Sequence, residues 1–295
     1  MAVKASITPV PYYSASESIR ARLQRYMADL PWWLVAMTLL GVAAGVTISR
    51  QDSYREAFEF IRTGLSVTVT TTLAAFCFAL ILGLITGLLR ISQNVILKNL
   101  GTLYVELIRG VPMLVLIFFI ALVLVPAIVE GLNGLGLMLQ SNGLESIGAV
   151  LNQIQPNDVS MNFRAVVALS VTYGAFLAEV FRAGIQSIGR GQMEAARAQG
   201  MSYSQAMRYI ILPQAIRNVL PALGNDFVSM LKDSSLVSVL AVRDITQVAR
   251  LYAGRSFQFR ESYLILVILY LTMTVILSFA VKAMEKRFHQ NERGG

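Results

Sequence analysis

Long apolar runs separated by short polar connections set the pattern of this chain. The runs cover about 31–49, 64–89, 103–126, 163–185, 213–231 and 263–282. Most are near the roughly 20 residues with which a helix crosses the hydrocarbon core of a bilayer. The pattern therefore predicts an all-α integral membrane protein with about six transmembrane helices. The first run, Pro31 to Ser49, opens on Trp32 and Trp33, whose rings suit the headgroup level. It starts too late, behind too long a charged leader, for a cleaved signal peptide. Residues 50–62 alternate acid and base around Phe58, Phe60 and Ile61. That spacing fits an amphipathic surface helix and a solvated connector equally.

Charge refines the topology. Only 14% of the 295 residues are charged, against about 25% in a typical soluble chain. The formal charge is +8, but the basic residues sit in short loops, which is the signature of topology control rather than of nucleic-acid binding. Residues 127–162 hold Glu130, Glu145 and Asp158 and no Lys or Arg, so this connection is expected outside, as short interfacial helices. The loop after the fourth run holds Arg190, Arg197, Arg208 and Arg217 against Glu194 alone, and is expected inside. Arg20, Arg22 and Arg25 before the first run, and Lys282, Lys286 and Arg287 after the last, place both termini in the cytoplasm. The region 213–262 breaks the rule, since it is external by count yet net basic. Part of it is therefore expected to be buried in protein and functional.

Candidate chemistry is sparse. The single cysteine, Cys77, lies in an apolar run, and the single histidine, His289, lies in the polar tail. Neither a catalytic centre, nor a metal site, nor a cofactor is expected, and no phosphate-binding Gly-rich loop is present. Ser66, Thr68, Thr70, Thr71 and Thr72 crowd the start of the second run, where hydroxyls bond back to helix carbonyls or across to a neighbour. Glu106 and Arg109, and again Glu179 and Arg182, are three apart and share a helix face, so each is expected to pair. Pro112 permits a kink.

The polar insert after the fourth run is the most informative stretch. Gln192 to Gln199 is rich in strong helix formers. Gly200 stands where a left-handed cap would end that helix. Ser202 and Gln205 form a capping-box pattern for a second helix, bounded by Pro213. Ala195, Ala196 and Ala198 leave a surface that another protein can approach closely. On residues alone, an ordinary amphipathic loop fits as well as a docking helix.

The spacing Glu194-Ala195-Ala196, Gly200, Ile210, Leu212-Pro213 resembles the EAA signature of ABC importer permeases. Tyr104 to Pro112 (YVELIRGVP), Tyr173 to Gly200, and Leu231 to Ile245 are similar to the polar amino-acid branch of that family, the histidine, glutamine and arginine type. The likeness runs from about Gly64 to the C-terminus. Where many relatives carry Thr-Ser, this chain has Ser234-Ser235. The resemblance implies the type I ABC importer permease fold, with residues 61–290 as the permease domain. It makes the loop at about 188–213 a coupling helix for a cytoplasmic ATPase, through Glu194, Ala195, Ala196, Gly200, Leu212 and Pro213. Because that branch has a five-span core, residues 1–60 read as a tail, an extra helix and a connector. The resemblance further implies a bacterial plasma-membrane subunit that takes up polar amino acids. Its partners would be a second permease chain, two ATPase subunits and an external solute-binding protein.

A zwitterionic substrate needs a carboxylate for its ammonium group, for which Glu179 and Asp226 are candidates. It also needs donors for its carboxylate, for which Lys232, Ser234 and Ser235, beside Asp233, are candidates. Glu106 with Arg109, and Glu179 with Arg182, also read as structural ion pairs, and 232–235 as a gate or as the place that receives the external binding protein. The rival readings are a secondary transporter or channel that needs no ATPase and a structural assembly factor.

Overall fold

The structure, a computed structural model, describes residues 32–290, so the basic N-terminal tail lies outside it. Helix α1, Trp32–Arg50, is a compact unit of its own, apolar all round, as suits a helix surrounded by lipid. Residues from Gln51 onward form the second unit. There α2 (Asp52–Ile61) passes through a 3-10 turn into α3 (Leu65–Arg90). Helices α4 (Val95–Arg109) and α5 (Met113–Phe119) follow, then a π-turn at Ile120–Leu124, α6 (Val125–Ser141) and α7 (Glu145–Asn152). Helix α8 is Met161–Gln186, α9 is Arg190–Ala198, and α10 is Tyr203–Ala206. A second π-turn, Met207–Ile211, leads into α11 (Leu212–Asp233), a 3-10 segment (Ser234–Leu240), α12 (Ile245–Ser256) and α13 (Phe259–Gln290).

Four helical stretches among the described residues are long and apolar enough to cross a membrane: Asp52–Arg90, Met113–Ser141, Met161–Gln186 and Phe259–Lys286. Helix α11 has 22 residues but carries Arg217, Asn225, Asp226 and Lys232, and it packs between α8 and α13.

Helix α8 is the central post, and Ala165, Ala168, Leu169, Thr172, Ala175, Leu177 and Ala178 on it are fully buried. It runs parallel to α3 along its whole length. The partners step together, from Thr71 with Asn162 at one end to Gly87 with Phe181 near the other. Close approach needs glycine, because a Cβ on Gly83 would lie 2.7 Å from Leu177 Cβ, and one on Gly87 would lie 3.0 Å from Phe181 Cβ. Gly83 and Gly87, four apart on one face, are the small-residue pair that lets membrane helices touch backbone to backbone. The hydroxyl cluster does both things expected of it. Thr70 and Thr72 donate to the carbonyls of Ser66 and Thr68 at 2.7 Å, while Thr71 donates across to Asn162 at 2.8 Å.

Four expectations are corrected. The third run is not one helix from 103 to 126. It is α4 and α5, separated at Gly110-Val111-Pro112, because proline has no N–H to continue the ladder. Beyond it, helix continues to Ser141, and only α7 in the external connection is short. The fifth run does not cross in full, since α11 ends at Asp233, level with Tyr173 midway along α8, and 3-10 backbone carries on. Pro213 does not end the second helix of the insert. A π-turn widens the backbone just before it, as another does before Pro126, and this makes room for the ring. The side-chain amide of Gln214 donates to the Ile210 carbonyl at 2.8 Å.

The connector at 50–62 is an amphipathic helix packed on protein. Tyr54, Ala57 and Ile61 of α2 are buried against α12 and α13.

Candidate functional site

Two helix breaks meet at one depth. Tyr104 of α4 donates to the Val171 carbonyl at 2.6 Å, so the α4–α5 break at 110–112 lies beside the middle of α8. The end of α11 lies there too, where the Tyr173 hydroxyl donates to Asp233 Oδ2 at 2.6 Å. The 3-10 segment after it touches both α5 and α8. Broken helices at the centre of a membrane protein expose backbone groups and charged side chains to a buried cavity, which is how transporters build substrate sites.

The charges at this level come from both breaks. Asp226 lies two turns before Asp233 on the same face of α11 and is half-buried. The neighbouring Phe227 ring packs on Phe76 of α3 at 4.7 Å. Arg109 is not paired with Glu106, because no ion pair joins them among the described residues. Its guanidinium lies over the Phe176 ring, 5.8 Å from the centroid, and Phe176 stands 6.0 Å from Tyr173. At the end of α4 the chain turns into the Gly110–Pro112 break, and Arg109 finds an aromatic face instead of a carboxylate. Lys232 is exposed, Ser235 half-buried, and the buried Ser234 donates to the Leu231 carbonyl at 2.8 Å. Ser234 thus holds the helix end, while Asp233 and Ser235 remain at the break.

Glu179 is elsewhere. It pairs with Arg182, as its spacing indicates, and also with Arg90 of α3, which the sequence reading did not connect to it. Arg182 donates further to Gln186 at 2.6 Å. This network clamps α3 to the last turns of α8, directly before the polar insert.

The insert is built as its sequence indicates. Helix α9 closes in a full Schellman turn, with Gly200 N–H donating to the Arg197 carbonyl at 3.0 Å and Met201 N–H to the Ala196 carbonyl at 3.2 Å. Gly200 has φ +83°, and the Ser202–Gln205 capping box is formed in both directions. Glu194, Ala195 and Ala198 are exposed, whereas Ala196 is buried against the following segment. The outward face of α9 is therefore small and polar. Leu212 is half-buried and Pro213 exposed.

At the opposite end of α8, a residue outside the sequence candidates does structural work. Arg164 is 5% exposed, and no ion pair joins it to a carboxylate among the described residues. Its guanidinium donates to the carbonyls of Val159 at 3.0 Å, Ala121 at 3.1 Å and Pro156 at 2.5 Å. It ties the segment 156–159 to the π-turn after α5. The basic connection after α11 is buried in part, as expected. Val242, Asp244, Ile245 and Gln247 are inside, and Arg243, Arg250, Arg255 and Arg260 are exposed. Asp244 caps α12 through Gln247 N–H at 2.9 Å, and burial holds its carboxyl above the usual carboxylate range. The Ile245 N–H donates to Thr68 at 3.1 Å, so the connection is fastened to the start of α3.

The chain is thus a helical membrane body with two interrupted helices beside the middle of α8 and a capped polar helix at one end. The chain belongs to the family of binding-protein-dependent transport system inner membrane components, whose pattern matches residues 79–290. It is 36% identical to the probable glutamine ABC transporter permease protein GlnM of Bacillus subtilis, across 79% of this chain and 95% of that one. It is 32% identical to the arginine transport system permease protein ArgU of Corynebacterium glutamicum, across 88% of this chain and 80% of that one. A crystal structure of an amino acid ABC transporter with histidines superposes with a TM-score of 0.62 at 33% identity, over 78% of this chain and 94% of that one. The chain is a transport-system permease subunit with the type I importer fold.

Proposed function

We propose that this chain forms half of the membrane pore of a polar amino-acid importer in a bacterial plasma membrane, with both termini cytoplasmic. A second permease chain, identical or related, completes the pore. ATPase subunits bind the outward face of α9 from the cytoplasm, and a solute-binding protein delivers substrate outside. The chain itself performs no chemistry. Closure of the ATPase pair draws the α9 helices together, and the α3–α8 clamp at Arg90, Glu179 and Arg182 carries that motion into the membrane helices.

The observation that carries this reading is the meeting of the two helix breaks beside Tyr173. Asp233 supplies a carboxylate there, Asp226 a second one two turns earlier on α11, and the Arg109 guanidinium supplies donors. That set suits the ammonium and carboxylate ends of an amino acid. Glu179, neutralised by two arginines near the cytoplasmic end, fits the clamp better than the substrate.

Asp233→Asn and Asp226→Asn should each weaken uptake by the reconstituted transporter about tenfold to a hundredfold. This is the range expected for losing a charge-assisted hydrogen bond of about 1.5–3 kcal/mol. ATP hydrolysis without substrate should stay near its starting level. Uptake that is unchanged in both variants would remove this site from the substrate path.

A further inference from the structure

A cavity of about 470 Å³ opens where the α3–α4 turn, the last turn of α8 and the α9–α10 segment meet. Its lining contains Arg90, Lys98, Arg182 and Arg190 and no acidic side chain. Glu179 lies just behind it and pairs with Arg90 and Arg182. Lys98 and Arg190 stand apart from that network. Among the described residues neither side chain takes part in an ion pair or a hydrogen bond, and both are exposed at the rim. Ser92, whose hydroxyl oxygen accepts the Asn94 N–H at 3.2 Å, also lines the cavity. One carboxylate cannot balance two arginines, so with Lys98 and Arg190 the cavity keeps a net positive charge that an anion would offset.

The surroundings indicate which anion. The first turns of α4 expose Val95 and Ile96 at 70% each, and Leu100 at 56%. These apolar side chains, beside a basic cavity at the end of a membrane helix, put the cavity mouth at the boundary between acyl chains and headgroups. Basic pockets in that position between membrane helices bind anionic headgroups. Glu194, Ala195 and Ala198 do not line the cavity, so an occupant leaves the outward face of α9 clear.

We propose that this cavity holds the phosphate of an anionic phospholipid drawn from the cytoplasmic leaflet, with Lys98 and Arg190 as its principal ligands. The inference rests on the reading above for the side of the membrane on which α9 lies. A lipid so held bridges the α3–α4 turn, which carries Lys98, to the first turn of α9, which carries Arg190. It braces the coupling segment against the membrane body and makes coupling responsive to the anionic lipid content of the leaflet.

The test uses the full-length permease purified with its ATPase partner, titrated separately with phosphatidylglycerol, phosphatidylcholine and glycerol 3-phosphate and read by native mass spectrometry. Phosphatidylglycerol should be retained in preference to phosphatidylcholine. The double variant Lys98→Gln/Arg190→Gln should weaken that retention about 30-fold. The charge-preserving Lys98→Arg/Arg190→Lys should keep it, which separates loss of charge from misfolding. Equal retention of phosphatidylglycerol by the wild type and the glutamine variant overturns the site. Binding of glycerol 3-phosphate as tight as that of the lipid, and lost in the glutamine variant, overturns the lipid as its source in favour of soluble phosphate. Because the readout is binding, lipid retention without ATP-driven uptake counts against the importer reading alone, and uptake without lipid preference counts against this site alone.

Discussion

Replacing Gly200 with valine is expected to leave the permease folded in the membrane but to cut substrate uptake per ATP hydrolysed by about tenfold or more. Gly200 closes α9 at φ +83°, where two Schellman hydrogen bonds turn the chain back toward α10. A left-handed conformation costs an ordinary L-residue roughly 1–2 kcal/mol, and a β-branched one more. An energy of that size shifts the population of a correctly closed turn by about tenfold. Nothing lies within 4 Å of a Cβ built there, so the effect comes from the backbone and not from a clash. Gly200→Asn is the control, because asparagine tolerates the left-handed region and should keep most of the coupling. Parallel measurement of ATP hydrolysis and uptake in proteoliposomes decides it. If valine and asparagine behave alike, α9 does not need its cap to couple.

The second large effect is expected at Arg164. Arg164→Met removes the donor to three carbonyls that no other side chain among the described residues serves. An unsatisfied buried polar group costs about 1–3 kcal/mol. The loss should total roughly 3 kcal/mol, because water at the external end takes up part of it. The measurement is the thermal midpoint of the purified complex, with hydrogen exchange over residues 120–158. Arg164→Lys should recover only part, since an ammonium lacks the planar fork that reaches three acceptors at once. An unchanged midpoint and unchanged exchange in Arg164→Met would show that the external connection is held by something else.

How much of this was readable in the sequence depends on the range over which the signal acts. Helix α9, its glycine cap and the Ser202–Gln205 box are local, set by residues within one turn of each other, and they stand in the structure as the pattern indicates. The Glu179–Arg182 pair is local in the same way. The partner it also takes, Arg90, is 89 positions away and carries no sequence mark of the contact. Arg164 stayed hidden because a single arginine at the start of an apolar run reads as a boundary charge, while its three acceptors are backbone groups with no side-chain signature. The α4–α5 break was signalled by Gly110 and Pro112. Hydropathy, however, averages over a break, so 103–126 reads as one span. The fifth run matches α11 in extent, but its length alone does not reveal that the helix stops level with the middle of α8. The net-basic connection after it was a useful anomaly, because it marked a segment whose arginines stay exposed while Asp244 and its neighbours are buried.

This chain is expected to move amino acids only when an ATPase drives it through α9. The direct measurement reconstitutes the purified permease in proteoliposomes with and without its ATPase subunits, and follows uptake of radiolabelled glutamine, histidine and arginine with the solute-binding protein present. Uptake of at least one of these that requires both the ATPase and ATP, and that the Gly200→Val variant lowers, is the predicted result. Uptake by the permease alone, driven by an ion gradient, would contradict the account.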